Sequence, residues 1–233
     1  MGIFSCAILA DAMVLQVRAI VMAAALAVGL AASLAGCKIV KIGDKAAIDP
    51  SDPNNFNAKT YVTSIWASKA VPFYQDHAHP ILDVLAAIAK DKDAAGQALG
   101  HRATAGGTPW TFAVKGEGTI KSMTSGTRHG EMTVELGPAD HPTEAVLQVG
   151  PVVFGTALRD ALPFIAFGDF VNQIQYAEVS RAINDRAVAA MAKALEPAPK
   201  PGEKVSFIGG MIDPAEAGGL VVTPMELKVE AGS

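Results

Sequence analysis

Apolar positions fall into three regimes along the chain. Residues 19–36 read Ala-Ile-Val-Met-Ala-Ala-Ala-Leu-Ala-Val-Gly-Leu-Ala-Ala-Ser-Leu-Ala-Gly without a single charge. From about 57 to 100 the apolar residues recur at helical spacing. Asn57 is placed to cap a first helix, whose apolar face is built from Tyr61 and Ile65 and, on a neighbouring row, Val62 and Trp66. Pro72 interrupts that pattern. A second amphipathic helix follows from about Phe73, with Ile81, Val84, Leu85 and Ile88 on its face. Asp91 or Asp93 caps a short third helix ending at Gly100.

The period then changes to two. Trp110-Thr-Phe-Ala-Val alternates bulky and small residues, and Thr119-Ile-Lys-Ser-Met continues beyond Gly116 and Gly118, where a bend or bulge is expected. Met132, Val134 and Leu136 alternate with Thr133 and Glu135, and Ala145-Val-Leu-Gln-Val is a third strand. After an irregular stretch, Val179, Ile183, Val188, Met191 and Leu195 stripe a helix over about 177–195, ended by Pro197, Pro199 and Pro201. Residues 204–208 and 220–229 are the last two strands. The order predicts an α+β domain over 57–233: an N-terminal helical region (about 57–100), then an OB-like five-stranded β-barrel (about 108–230) with a helix between the third and fourth strands.

The uncharged run at 19–36 is preceded by Arg18 and closed by Leu34-Ala35-Gly36-Cys37. A basic start, an apolar middle and small residues at the cut make a secretory signal, here 1–36. Leu-Ala-Gly-Cys resembles the bacterial lipobox, in which the thiol takes a diacylglycerol through a thioether and the cysteine becomes the new N-terminus. Cys37 is therefore the expected lipidation site, and 37–56 an acylated terminus and linker. Within it, residues 38–42 alternate weakly, as an edge strand does, and 49–55 are turn-rich. The competing reading, an uncleaved spanning helix, fits the length but does not call for that closing tetrapeptide. Met13, followed by Val-Leu-Gln-Val-Arg, is a more ordinary start for such a signal than Met1. Lys38 follows the cysteine where an aspartate would favour inner-membrane retention, which leans the location toward the outer membrane.

Composition narrows the function. The chain of 233 residues is half apolar with 18% charged residues, enough for one good core. Its net charge of −4 is unchanged when the signal is removed, because Asp11 and Arg18 cancel. With no Lys/Arg run, nucleic acid is not an expected partner. Cys6 and Cys37 are the only cysteines, so the mature domain has no disulfide.

Several segments resemble an uncharacterised bacterial family, the predicted periplasmic lipoproteins of domain-of-unknown-function family 2291. They are Cys37-Lys-Ile-Val-Lys, Tyr61-Val-Thr-Ser-Ile-Trp-Ala-Ser-Lys, Val114-Lys-Gly-Glu-Gly, Gly150-Pro-Val-Val-Phe-Gly-Thr-Ala-Leu-Arg-Asp and Phe164-Ile-Ala-Phe-Gly-Asp-Phe-Val-Asn-Gln-Ile-Gln-Tyr-Ala. The chain departs from the pattern at Phe154, where a basic residue is usual. The resemblance implies an OB-like barrel with added helices, and company with sugar-type ABC transporter genes. It implies no catalytic residues.

Candidate chemistry is sparse. Arg159, Asp160, Asp169, Asn172 and Gln173 supply donors and acceptors suited to a sugar or carboxylate ligand, and Phe164, Phe167 and Phe170 could stack on a sugar ring. The competing reading makes the same residues partners of loop backbone and core. His77 and His79 are two apart and do not share a helix face, so no metal is expected; His101, His129 and His141 read as isolated and solvated. Gly116-Glu-Gly118 lacks the third glycine of a dinucleotide loop. No nucleophile elbow or His-Glu-x-x-His motif occurs. Trp66, Phe73 and Tyr74 read as core. The residues point to a non-enzymatic, cofactor-free envelope lipoprotein, and the resemblance implies an accessory or binding component of an ABC-type sugar uptake system. It would contact the membrane through its lipid, and the transporter or its solute-binding protein. An independent small-molecule binding module is the alternative; an envelope glycan hydrolase ranks third.

Overall fold

The computed structural model describes residues 56–103, 107–124 and 127–230. The signal, Cys37 and the segments read as an edge strand and a linker lie outside them.

Asn57 caps the first helix, α1 (Ala58–Ile65), its Oδ1 accepting from the Thr60 N–H at 3.0 Å. Val62, Ile65 and Trp66 are buried as the spacing required. The interruption expected at Pro72 takes another form. The chain widens into a π-turn over Trp66–Ala70, where the Val71 N–H reaches back five residues to the Trp66 carbonyl. It then resumes as α2 (Val71–His77) with Pro72 in the first turn, where a missing N–H costs nothing. The second helix, expected from about Phe73, breaks after His77. Ala78 is extended, and Pro80 biases His79 the same way, so His79–Pro80 becomes a two-residue strand, β1. The amphipathic pattern resumes in α3 (Ile81–Lys90), and Asp91, not Asp93, caps α4 (Lys92–Leu99).

Among the described residues seven strands form one sheet, two more than the five expected. The extra pair, β1 and β2 (Gly100–His101), are two-residue additions on β3 (Thr111–Thr124). The other five are β3, β4 (Glu131–Leu136), β5 (Thr143–Gln148), β6 (Lys204–Ile212) and β7 (Val221–Glu230). Their pairings run β3–β4–β5–β7–β6 and return from β6 to β3; β5–β7 is parallel and the rest antiparallel. Between β5 and β6 lie α5 (Ala157–Asp160) and the long α6 (Gln173–Met191), continued by a 3-10 turn over Ala192–Leu195. A short α7 (Pro214–Ala217) joins β6 to β7.

The segments around Gly116 and Gly118 are one continuous strand. The bulge expected there falls instead between Ile120 and Ser122, and a second between Ile208 and Gly209, opposite the donor-less Pro224. Gly116 faces the ring interior, where a Cβ would stand 2.7 Å from the Phe207 ring. The glycine thus makes room for a large core side chain.

Two cores result. Inside the ring, Phe112, Val114, Ile120, Met132, Val134, Leu136, Leu147, Phe207, Met211 and Val222 pack together, joined by Ile81 and Val84 of α3 and Met191 of α6. Between the sheet's outer face and the helices lies a second core of Val62, Trp66, Tyr74, Ala113, Leu158, Leu162, Val179, Ile183 and Met225. Gly210 lets these layers meet closely: a Cβ there would lie 2.7 Å from the Ala157 backbone. Among the described residues no helix is long and apolar enough to cross a membrane.

Candidate functional site

The five candidate ligand residues are brought into one neighbourhood, but most of their polar atoms are engaged within the protein. Arg159 is 6% exposed. Its Nε and Nη2 donate to Asp160 Oδ1 at 2.8 and 2.6 Å, its Nη1 donates to the Tyr176 carbonyl at 3.0 Å, and its guanidinium stacks 3.5 Å over the Tyr176 ring. A two-pronged ion pair on an aromatic face is a geometry that arginine, not lysine, supplies. Asp160 also receives the Tyr176 hydroxyl at 3.4 Å.

Asp169 accepts from the Ala166 N–H at 3.0 Å, closing a 3-10 turn over Phe167–Asp169. Asn172 is the N-cap of α6, its Oδ1 accepting from the Gln175 N–H at 2.9 Å. Gln173 opens the helix and is exposed. The neighbouring Gly150–Asp160 stretch is pinned from α6: Ser180 and Asn184 both donate to the Gly155 carbonyl, at 3.0 and 3.1 Å. These bonds tie an irregular crossing to α6 and meet a backbone acceptor that it would otherwise leave unpaired.

Tyr74, fully buried, donates to the Leu158 carbonyl at 3.0 Å. Burial holds its hydroxyl well above the usual tyrosine range, and the Asp160 carboxylate pushes the same way. Burial likewise raises Tyr176, against the opposing pull of Arg159.

Two histidines differ from expectation, and one of them, His129, is not isolated: its ring centroid lies 4.5 Å from that of Phe154. His101 is not solvated: it is part-buried, with Nδ1 2.7 Å from the Asp160 carbonyl. It borders a cavity of about 230 Å³ together with His77 and His79, which the chain break after α2 turns toward the same space. His77 lies stacked on Phe73, centroids 4.6 Å apart. Among the described residues no three metal-ligating side chains converge.

A larger groove, about 410 Å³, lies elsewhere, on the outer face of β3, β6 and β7. Register builds it. Lys115 pairs with Ile208 and Ile208 with Glu226; Glu117 pairs with Ser206 and Ser206 with Lys228. Because alternate residues share a face, these six side chains stand on the side opposite Phe207 and Leu227, which enter the ring core. The result is two short rows in which lysine and glutamate sit at opposite ends and exchange places from one row to the next. Gln75 of α2 donates to Glu226 Oε1 at 2.6 Å. Lys115, Glu117 and Lys228 make no ion pair with any described residue. The volume is that of a small-molecule site. None of its residues was a sequence candidate except Gly116 and Glu117, weighed there only as part of a nucleotide loop.

With this geometry in view, comparison places the fold and then the family. A crystal structure of an OB-fold protein from Thermotoga maritima, at 1.90 Å resolution, superposes with a TM-score of 0.59 at 16% identity, covering 75% of this chain and 99% of that one. At that identity the likeness is one of fold: a mixed α+β chain with an OB-type neighbour. No curated protein matches the chain. The family is direct: over residues 27–228 the chain matches, and belongs to, the family described as predicted periplasmic lipoprotein (DUF2291). An envelope location and membrane anchoring follow from that membership.

Proposed function

We propose that the protein is a non-enzymatic solute-binding module, moored to the membrane through lipid on Cys37, whose ligand lies in the groove of β3, β6 and β7. The ring of five pairings is read as an OB-like barrel, and the helices as a layer that braces its outer face. The observation that carries the reading is the groove itself: a cavity of ligand size whose Lys115, Glu117 and Lys228 make no ion pair among the described residues. Lysine ammoniums suit a carboxylate, and glutamates accept from sugar hydroxyls, so a polar sugar or sugar acid is the ligand class. Ser206, the two lysines and the two glutamates of the lining are donors and acceptors suited to holding a polar solute. Service to an ABC-type sugar uptake system rests on the family resemblance, and the outer-membrane preference on Lys38.

Calorimetric titration of the full mature lipoprotein in detergent, with D-galacturonate, D-glucose and D-ribose as probes, tests the groove. Saturable binding of at least one probe is expected, weakened about tenfold or more by Lys228→Ala or Glu117→Gln, a loss of about 1.4 kcal/mol or more. No saturable binding of any probe, or binding that both variants leave unchanged, would sink it.

A further inference from the structure

The stretch from the 3-10 turn into the first turn of α6 carries three of the most exposed large apolar side chains described: Phe167, Val171 and Ile174 are 46%, 62% and 71% exposed. Three polar residues of this stretch and the turn that follows are turned to local backbone. Asp169 takes the Ala166 N–H, Asn172 the Gln175 N–H, and Gln175 Oε1 the Val171 N–H at 3.2 Å. The apolar groups therefore protrude from a backbone several of whose donors, those of Ala166, Asp169, Phe170, Val171 and Gln175, are met locally, which lowers the cost of entering an apolar medium.

Beneath the patch lies an aromatic floor. Phe170 meets Phe56, Tyr61 and Tyr176 with ring centroids 5.5, 5.7 and 5.5 Å apart, and Phe167 meets Tyr176 at 5.5 Å. Phe56 is the first described residue, so the chain enters the domain at this floor. Nineteen residues lead from Cys37 to Phe56, a reach of no more than roughly 65 Å when fully extended. The protruding patch and Phe56, from which the tether to Cys37 departs, thus share one side of the domain. Phenylalanine and isoleucine backed by tyrosines make the composition that settles at the boundary of headgroups and acyl chains.

We infer that Phe167, Val171 and Ile174 insert into the interfacial zone of the bilayer that holds the lipid anchor, fixing the orientation of the domain on the membrane. The inference rests on the acylation of Cys37 proposed above. No lysine or arginine occurs between Asp160 and Ser180, so the inserted stretch itself adds no attraction to anionic lipid, and its insertion is expected to persist at high salt.

The test uses the full acylated chain in vesicles of phosphatidylethanolamine and phosphatidylglycerol, with a nitroxide on Ile174→Cys; acylation leaves this as the one free thiol. A control label sits on Asp140→Cys, on an exposed loop. Label mobility and accessibility to oxygen and to a nickel chelate are read by electron paramagnetic resonance, after flotation shows that the protein is on the vesicles. The label at 174 is expected to shift to oxygen-rich, nickel-poor surroundings, in high salt as in low, while that at 140 stays water-like. Val171→Asp should abolish the shift at 174 and leave flotation intact. Floating protein with a water-like label at 174 overturns the docking alone. Failure of the parent chain to float overturns the anchor and the docking together. A label that is immobilised yet poor in oxygen would mean that protein covers the patch, and also overturns the docking; dipolar broadening there would name a second copy.

Discussion

Replacing Arg159 by methionine should destabilise the fold sharply. The change removes both hydrogen bonds to Asp160, the bond to the Tyr176 carbonyl and the stack on the Tyr176 ring, and leaves a carboxylate that is only 13% exposed. Its one remaining hydrogen-bond partner among the described residues is the Tyr176 hydroxyl at 3.4 Å. Breaking a buried pair from one side costs about 3–5 kcal/mol, because the surviving charge stays in a poor solvent; removing both charges in favour of apolar groups of similar size is often nearly neutral. Arg159→Met alone should therefore lose about 3–5 kcal/mol, and the double variant with Asp160→Leu far less. With a urea slope of about 2 kcal/mol per molar, the single variant's midpoint falls by about 1.5–2.5 M. The assay is urea unfolding followed by tryptophan fluorescence, run as a double-mutant cycle. A single variant within about 1 kcal/mol of the parent, or a double variant as damaged as the sum of the singles, would refute the assignment of this pair as a structural clamp and return it to the list of ligand contacts.

Two further outcomes follow from the packing. Tyr74 is neutral and buried with its pKa raised, so the unfolded chain loses that proton first; its contribution is intact below about pH 10 and disappears as pH climbs through the higher folded value. Urea midpoints should fall above pH 10, less steeply in Tyr74→Phe, which itself gives up about 0.5–1.5 kcal/mol for the lost bond to Leu158. Gly210→Ala forces a Cβ to within 2.7 Å of the Ala157 backbone; overpacking of this kind costs about 1–3 kcal/mol, readable by calorimetry as a lowered Tm.

Much of the architecture is legible in the sequence, and the exceptions have physical causes. Asn57 and Asp91 are polar residues directly before apolar periodicity, and both cap as that position suggests. The start of α6 at Gln173 rather than near 177 is hidden because its first turn, Gln-Ile-Gln, is mostly exposed and adds no stripe; Asn172 is the signal that marks it. The break between α2 and α3 hinges on Ala78 and Pro80 within a run that otherwise keeps helical spacing. Strands of two residues have no periodicity to detect, so β1 and β2 emerge only from pairing with β3.

The groove is harder. Lys115, Glu117, Ser206, Ile208, Glu226 and Lys228 belong to three strands, more than a hundred residues apart at the extremes. Within each strand they resemble ordinary solvent-facing positions of an alternating pattern. Only the β3–β6–β7 register aligns them. The Arg159–Asp160 pair shows the converse. Its residues are adjacent and conspicuous in the sequence, yet their burial under Tyr176 is a property of the tertiary packing alone.

Intact-mass and N-terminal peptide spectrometry of the protein extracted from bacterial membranes bears most directly on the whole account. The mature chain should begin at Cys37 and carry the added mass of a diacylglycerol on sulfur. A chain that retains residues 1–36, or an unmodified thiol at Cys37 on protein that still fractionates with membranes, would contradict it.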